Sequence, residues 1–383
     1  MPNHVVVVGS GLAGYGVLRE LRKLSPDAKL TLVTLDEGHF YSKPALSTAF
    51  AKGKTGDTLV TMQAERMAAQ LQFDLREKCA AETIDRRART LLTSGGAIGY
   101  DKLILALGAD PVQPQIGGGA AQQALAVNTL DQYRSFREAL PDGARVLIMG
   151  AGLVGTEFAN DLAGAGYKPR VVDMLGHPLA QLVPGGVGEM VRDALAAMGV
   201  EWHLGRKVVT IDHAAGGFKA VLDDNSEIEA EAMLSAVGLR PHTRLAQQAG
   251  IETGRGIKVN STGLTSDPHI YAIGDCAEYP QGLAAYVTPI MAAARAIAAS
   301  ALGTPTEIRF PVLSVQVKTS AYPIVLLPAP AGVAGTWEKE ADDARGLKFL
   351  FRDMEGTVRG YVLTCERSNE RVELDRMLTN DLG

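Results

Sequence analysis

The sequence predicts an α/β protein with two parallel-sheet units, the second inserted in the first, and a small α+β C-terminal domain. Three observations predict it. A strand, a glycine-rich turn, a helix, a strand and an acid follow one another at residues 4–36 and again at 145–173. Three further apolar strands stop at glycine: LILALGADP at 103–111, MLSAVGLRP at 233–241 and IYAIGDCAE at 270–278. From about residue 308 the pattern changes to VLSVQVKTS, AYPIVLL, LKFLFRD and TVRGYVLT, which alternate and turn as an antiparallel sheet does.

The run His4–Val8 is apolar, short and bounded by glycine, which suits a strand buried on both faces of a parallel sheet. GSGLAG follows, supplying Gly9, Ser10, Gly11, Leu12, Ala13 and Gly14, and Tyr15–Leu24 then has helical period. Leu30–Leu35 is the next strand, preceding Asp36. This is the βαβ unit of a Rossmann-like dinucleotide fold. The same grammar returns in the strand Arg145–Met149, the turn GAGLVG, a helix to about Ala165, and Arg170–Val172 leading to Asp173. One such glycine motif is a weak signal in a glycine-rich chain. Two copies, each set between a strand and a helix and each followed by an acid, are a strong one.

LALGADP and AVGLRP are expected to be the two passages of the chain between domains. The organisation is then residues 1–111 with 242–307, residues 112–241, and residues 308–383, the last ending in a helix near Glu370–Leu378. Trp202 is expected in the core, and the methionines and alanines near 190–198 as a buried helical stripe.

Composition excludes several classes. With 383 residues, 46% hydrophobic and 21% charged, the chain is globular and too apolar for disorder. A formal charge of −5 with scattered Lys and Arg argues against nucleic acid. Cys79, Cys276 and Cys365 are too far apart for a CxxC pair, and no histidine spacing suits a metal. No stretch reaches the roughly 20 apolar residues of a membrane span, and MPNHVVVVGSG is unlike a signal peptide, so a cytoplasmic protein is expected.

A glycine-rich turn at a helix N-terminus lets backbone N–H groups approach a pyrophosphate, whose charge the positive helix end stabilises. Asp36 and Asp173 are placed to accept hydrogen bonds from an adenosine ribose. At the second site an acid repels a 2′-phosphate, and VVDMLGHP offers no arginine to receive one, so NADH is expected over NADPH.

In order, GSGLAG, YSKPALS, LILALGADP, GAGLVGTEFA, AVGLRP and TSDPHIYAIGDCAE resemble the FAD/NAD-linked pyridine-nucleotide reductases of glutathione-reductase-like fold, over essentially the whole chain. Within them the chain is most similar to the short rubredoxin reductases, on YSKPALS and on VKTSAYP at 317–323. Ferredoxin reductases of dioxygenase systems usually carry Arg-Pro at the first place and tryptophan at the second, where this chain has Lys43-Pro44 and Lys318-Thr319.

The resemblance implies a non-covalent FAD along Gly9–Gly14, with Thr34, Leu35 and Asp36 at the adenosine and the Ala81 backbone at the adenine. Asp275 is implied at the ribityl and phosphate region. Val287 would open a helix reaching to Ala299 and facing the flavin N1–C2=O edge, where charge accumulates on reduction. Lys43, beside Pro44, and Lys318 would tune the flavin. NADH would take Gly150, Gly152, Leu153, Val154, Gly155, Asp173 and Gly238, with Glu157, read as an acid in the first helical turn, projecting toward both rings. No catalytic residue beyond the flavin is implied, and Cys276 is read as a packed residue.

The implied activity is hydride transfer from NADH to FAD and single-electron transfer to rubredoxin, with Lys43, Lys318 and Arg309 as a local basic patch for an acidic partner. Alternatives are a reductase for flavorubredoxin or ferredoxin, an NADH oxidase, and a non-catalytic NADH-sensing flavoprotein. The oxidase is disfavoured because no cysteine precedes Cys79. A monomer is expected.

Overall fold

In the computed structural model, which describes residues 4–284, 287–312, 314–330 and 332–381, the strand His4–Val8 occupies the centre of a five-stranded parallel sheet. The order is Ile270–Ala272, Lys102–Leu105, His4–Val8, Lys29–Val33 and Asp74–Arg76. Val5, Val6 and Val7 are fully buried, as a strand covered on both faces requires. This sheet belongs to one of two units, formed by Met1–Lys43, Val60–Asp110 and Leu239–Pro311. The helices Leu12–Leu24 and Val287–Ala301 pack together in it, with Gly16 facing the Ala294 side chain. The first helix begins earlier than its periodicity suggests, directly after Gly11, and the following strand ends at Val33, leaving Leu35 76% exposed. An antiparallel meander of Ala81–Asp85, Thr90–Thr93 and Gly96–Gly99, which the apolar pattern does not signal, completes the unit's main features.

The second unit comprises Pro44–Leu59, Pro111–Gly238 and Val312–Gly383. Its parallel sheet runs Glu201–Leu204, Lys168–Asp173, Arg145–Met149 and Ala232–Ser235. A three-stranded antiparallel sheet, Val208–Ala214, Gly217–Leu222 and Glu227–Ala230, shares with it a core of Leu147, Met149, Ile211 and Ile228. Trp202 is half-buried rather than in the core, its indole N–H donating to the Arg192 carbonyl. The helix Gly185–Ala196 buries Val187, Val191 and Leu195, so the branched residues form its inner stripe and Met190 is 45% exposed.

The C-terminal segment of this unit is a five-stranded antiparallel sheet in the order Val315–Val317, Ile324–Leu327, Val358–Thr364, Gly346–Asp353 and Gly335–Asp343. The helix Arg371–Asp381 packs Leu374 and Leu378 against Val325, Leu350, Tyr361 and Leu363. Its orientation is pinned by Asp375, which accepts from Tyr361 Oη at 2.6 Å and Ser314 Oγ at 2.9 Å.

Candidate nucleotide sites

The two glycine turns are built alike because the same close approaches recur. Gly9 and Gly150 have φ of +109° and +105°, a region closed to side-chain-bearing residues. Their N–H groups donate to Val33 and Val172, each at 2.8 Å. A Cβ on Gly14 would stand 1.8 Å from the Gly9 carbonyl oxygen, and one on Gly155 would stand 1.9 Å from that of Gly150. The third glycine thus lets each helix lie against its own strand. Gly11 and Gly152 differ: a Cβ there meets nothing within 4 Å. Both are helix N-caps without a side-chain cap, and neither helix has an acid in its first turn. The exposed N-terminal amides and the open space at each N-cap fit a pyrophosphate.

In the first unit Asp36 Oδ1 accepts from Ser10 Oγ at 2.9 Å, Thr34 Oγ1 at 2.6 Å and Gly38 N at 2.9 Å. Its Oδ2 takes no hydrogen bond from the described residues, leaving an acceptor for a ribose hydroxyl. Lys78 N and Cys79 N donate to the carbonyls of Asp36 and Thr34, which brings the strand starting at Ala81 beside the acid. Asp275 lies in the turn Gly274–Cys276, and its Oδ2 pairs with Lys43 Nζ at 3.5 Å. Val287 is the first residue of its helix, as expected, and its side chain lies outside the described residues. Cys276 is fully buried with Sγ 3.3 and 3.4 Å from the carbonyl oxygens of Ile273 and Leu105, and burial pushes its thiol up to about 11. It is a packed thiol, not a nucleophile.

In the second unit Asp173 ties the turn to the strand: Oδ2 accepts from Ala151 N at 2.6 Å and Oδ1 from Leu175 N at 2.7 Å. Each oxygen keeps a second lone pair for a ribose. Gly238, at φ +121°, has open space at its Cβ position, and Val154 is 42% exposed beside the turn.

Glu157 does not sit in the first helical turn. The helix starts at Leu153, so Glu157 falls one turn further in and is 3% exposed. Its Oε2 accepts from Ser47 Oγ at 2.5 Å and Lys318 Nζ at 3.2 Å, and its Oε1 from Lys318 N at 3.0 Å. Lys318 Nζ also donates to the Pro44 carbonyl at 2.9 Å. On the same helix face Asn160 binds Ser320 and Ala321, and Asp161 accepts from Phe50 N and Ala51 N at 2.8 and 3.0 Å. Burial pushes the Asp161 carboxyl up, opposed by those amides. Sequence reasoning missed Ser47, Asn160 and Asp161; the signal for the latter two was their place, with Thr156 and Glu157, among the buried residues of the helix Leu153–Gly164.

The pairings also alter the basic patch proposed from sequence. Lys43 and Lys318 are each engaged with a carboxylate, and only Arg309 of the three is exposed without an ion pair among the described residues. Beside the second turn, Arg206 N donates to the Asp173 carbonyl at 3.0 Å, and the Arg206 guanidinium pairs with Asp224 at 2.7 Å. Among the described residues no cluster of His, Cys, Asp and Glu could hold a metal, and no helix is long and apolar enough to cross a membrane.

Two open glycine turns, each closed by an acid at the next strand, define a flavin- and nicotinamide-dependent oxidoreductase. The chain belongs to the pyridine nucleotide-disulphide oxidoreductase family, whose model matches residues 3–299, and a rubredoxin binding C-terminal domain model matches 307–378. It is 41% identical over 375 residues to the rubredoxin-NAD(+) reductase of Alcanivorax borkumensis, covering 98% of each chain. It is 33% identical to the nitric oxide reductase FlRd-NAD(+) reductase of Aeromonas hydrophila, over 98% of this chain and 96% of that one. Among solved structures it is similar to the ferredoxin reductase for the CYP199A2 system from Rhodopseudomonas palustris, with a TM-score of 0.87, 27% identity, and coverage of 97% and 93%.

Proposed function

We propose that the chain takes hydride from NADH through FAD and passes single electrons to rubredoxin or a rubredoxin-like iron carrier. The observation that carries this reading is the pair of open glycine cradles, at Gly11 and Gly152, within one chain. The carrier half rests on residues 307–378 and on the rubredoxin-NAD(+) reductase relative. Bound FAD supplies the redox chemistry, accepting two electrons as hydride and releasing them one at a time.

The protein's own residues bind and orient. The amides after Gly9 and Gly11, with Asp36, Thr34 and the Ala81 backbone, hold FAD on residues 1–111 and 242–307. Asp275 serves the ribityl and phosphate region, held in place by Lys43. The N-terminus of Val287–Ala301 presents a positive helix end to the flavin. Residues 112–241 hold NADH through Gly150–Gly155, Asp173 and Gly238, and residues 308–383 receive the carrier. Glu157 acts through Lys318, fixing both its backbone and its ammonium. One NADH yields one NAD+, one proton and two reduced carriers. A cytoplasmic location accords with the buried, unpaired thiols of Cys79 and Cys276. The FlRd-NAD(+) reductase relative makes flavorubredoxin the second candidate carrier.

Anaerobic addition of NADH to the yellow protein is expected to bleach the flavin band. Two equivalents of oxidised rubredoxin per NADH should then restore it. A colourless protein that does not reconstitute with FAD, or a bleached flavin that rubredoxin does not reoxidise, overturns the reading.

A further inference from the structure

Around the second nucleotide turn, the backbone brings together residues that are far apart in sequence. Gly205 N donates to the Leu175 carbonyl and Arg206 N to the Asp173 carbonyl, both at 3.0 Å. Arg206 therefore follows the neighbouring strand Glu201–Leu204 directly alongside the acid that closes the site. This is the cation that the local sequence after Asp173 lacks, and a guanidinium is the usual receiver of a 2′-phosphate. It is not at liberty: its Nε pairs with Asp224 Oδ2 at 2.7 Å. Asp224 is itself locked, its Oδ1 accepting from Ser226 N at 3.0 Å and Ser226 Oγ at 2.6 Å. Those hydrogen bonds hold the carboxyl below its ordinary value.

We propose that Asp224 is a specificity-determining residue, which commits the Arg206 guanidinium to an internal ion pair and so denies it to the 2′-phosphate of NADPH. Asp173 repels that phosphate, and Asp224 withholds the arginine whose backbone N–H is bonded to the Asp173 carbonyl. The inference rests on the reading that the turn Gly150–Gly155 with Asp173 binds the adenosine half of the nicotinamide coenzyme. The Asp224–Arg206 pair is largely exposed, so the effect has the size of an ordinary surface ion pair, roughly two- to fivefold. Lys207, also exposed, is the adjacent cation that the test must separate from Arg206.

The test measures binding of ADP-ribose and 2′-phospho-ADP-ribose to the flavin-loaded protein by titration calorimetry at low salt. Asp224→Asn is expected to bind the 2′-phosphorylated probe roughly two- to fivefold tighter than wild type, with ADP-ribose unchanged. The gain should vanish in Arg206→Ala/Asp224→Asn. It should be absent in Asp223→Asn, which changes the net charge equally at the neighbouring position. No gain in Asp224→Asn overturns the proposal. So does an equal gain in Asp223→Asn, or a gain that survives loss of Arg206. Failure of wild type to bind ADP-ribose at all overturns the reading of the site itself, and this inference with it.

Discussion

Glu157 receives both the backbone N–H and the side-chain ammonium of Lys318, one on each carboxylate oxygen. The glutamate side chain is 4% exposed and the lysine 34%. The pair is asymmetric: the acid depends on its partners, whereas the lysine can reach water. Lys318→Met leaves a buried charge with only Ser47 Oγ and an amide, and is expected to cost about 2 kcal/mol in urea unfolding. Glu157→Gln keeps a hydrogen-bonding amide in the same place and is expected to cost about 1 kcal/mol. The reverse order would show that the ammonium, not the carboxylate, is the buried partner.

The glycines of each turn separate folding from binding. Gly11→Ala and Gly152→Ala place a methyl in open space, so the melting temperature should hold while the affinity for FAD or NADH falls. Gly14→Ala and Gly155→Ala drive a Cβ into a carbonyl oxygen and are expected to lose about 1–3 kcal/mol as well as coenzyme. Melting curves with and without added coenzyme read both effects. Equal destabilisation by Gly11→Ala and Gly14→Ala would place the two glycines in the same role.

Much of this was legible in the chain, for physical reasons that also explain what was not. The glycine turns announce themselves because the contacts of Gly14 and Gly155 admit no other residue. The strand Arg145–Met149 stands at its predicted bounds because its apolar residues are buried on both faces. The edge strand Gly335–Asp343 was missed because it is mostly charged and solvent-facing; it is held by Arg352 reaching Glu338 and Glu340 and by Trp337 against Phe351. The helix Leu130–Glu138 carried a readable signal in Thr129 and Gln132, which form a capping box. Ser47, Asn160 and Asp161 escaped because their partners, at Glu157, at 320–321 and at 50–51, are distant in sequence, so only the fold brings them together. Arg206 escaped for the same reason.

The Lys43–Asp275 pair, at 3.5 Å and partly exposed, is weak as a source of stability. Asp275→Asn is expected to change the melting temperature of the flavin-free protein little, by less than about 1 kcal/mol in equivalent stability. Its effect should appear in flavin retention, measured as FAD released on dilution. A variant that retains FAD as tightly as wild type would remove Asp275 from the site.

Cys276 offers a test of the core by pH. Its thiol is raised from 9.0 to about 11, chiefly by burial, so the folded protein keeps the proton that the unfolded chain gives up. The sign follows: the favourable contribution is complete below pH 9 and is lost as pH rises toward 11. Over those two pH units the loss approaches about 2–3 kcal/mol, at about 1.4 kcal/mol per unit. Tyr100, raised to about 12 by burial, adds its own alkaline loss, but in wild type and variant alike. Cys276→Ala should therefore be slightly less stable than wild type at pH 8 and lose less stability between pH 8 and 10.5. Urea midpoints at the two pH values, compared as a difference between the proteins, isolate the thiol. If both proteins lose stability equally, the Cys276 thiol ionises in the fold as readily as it does in the unfolded chain.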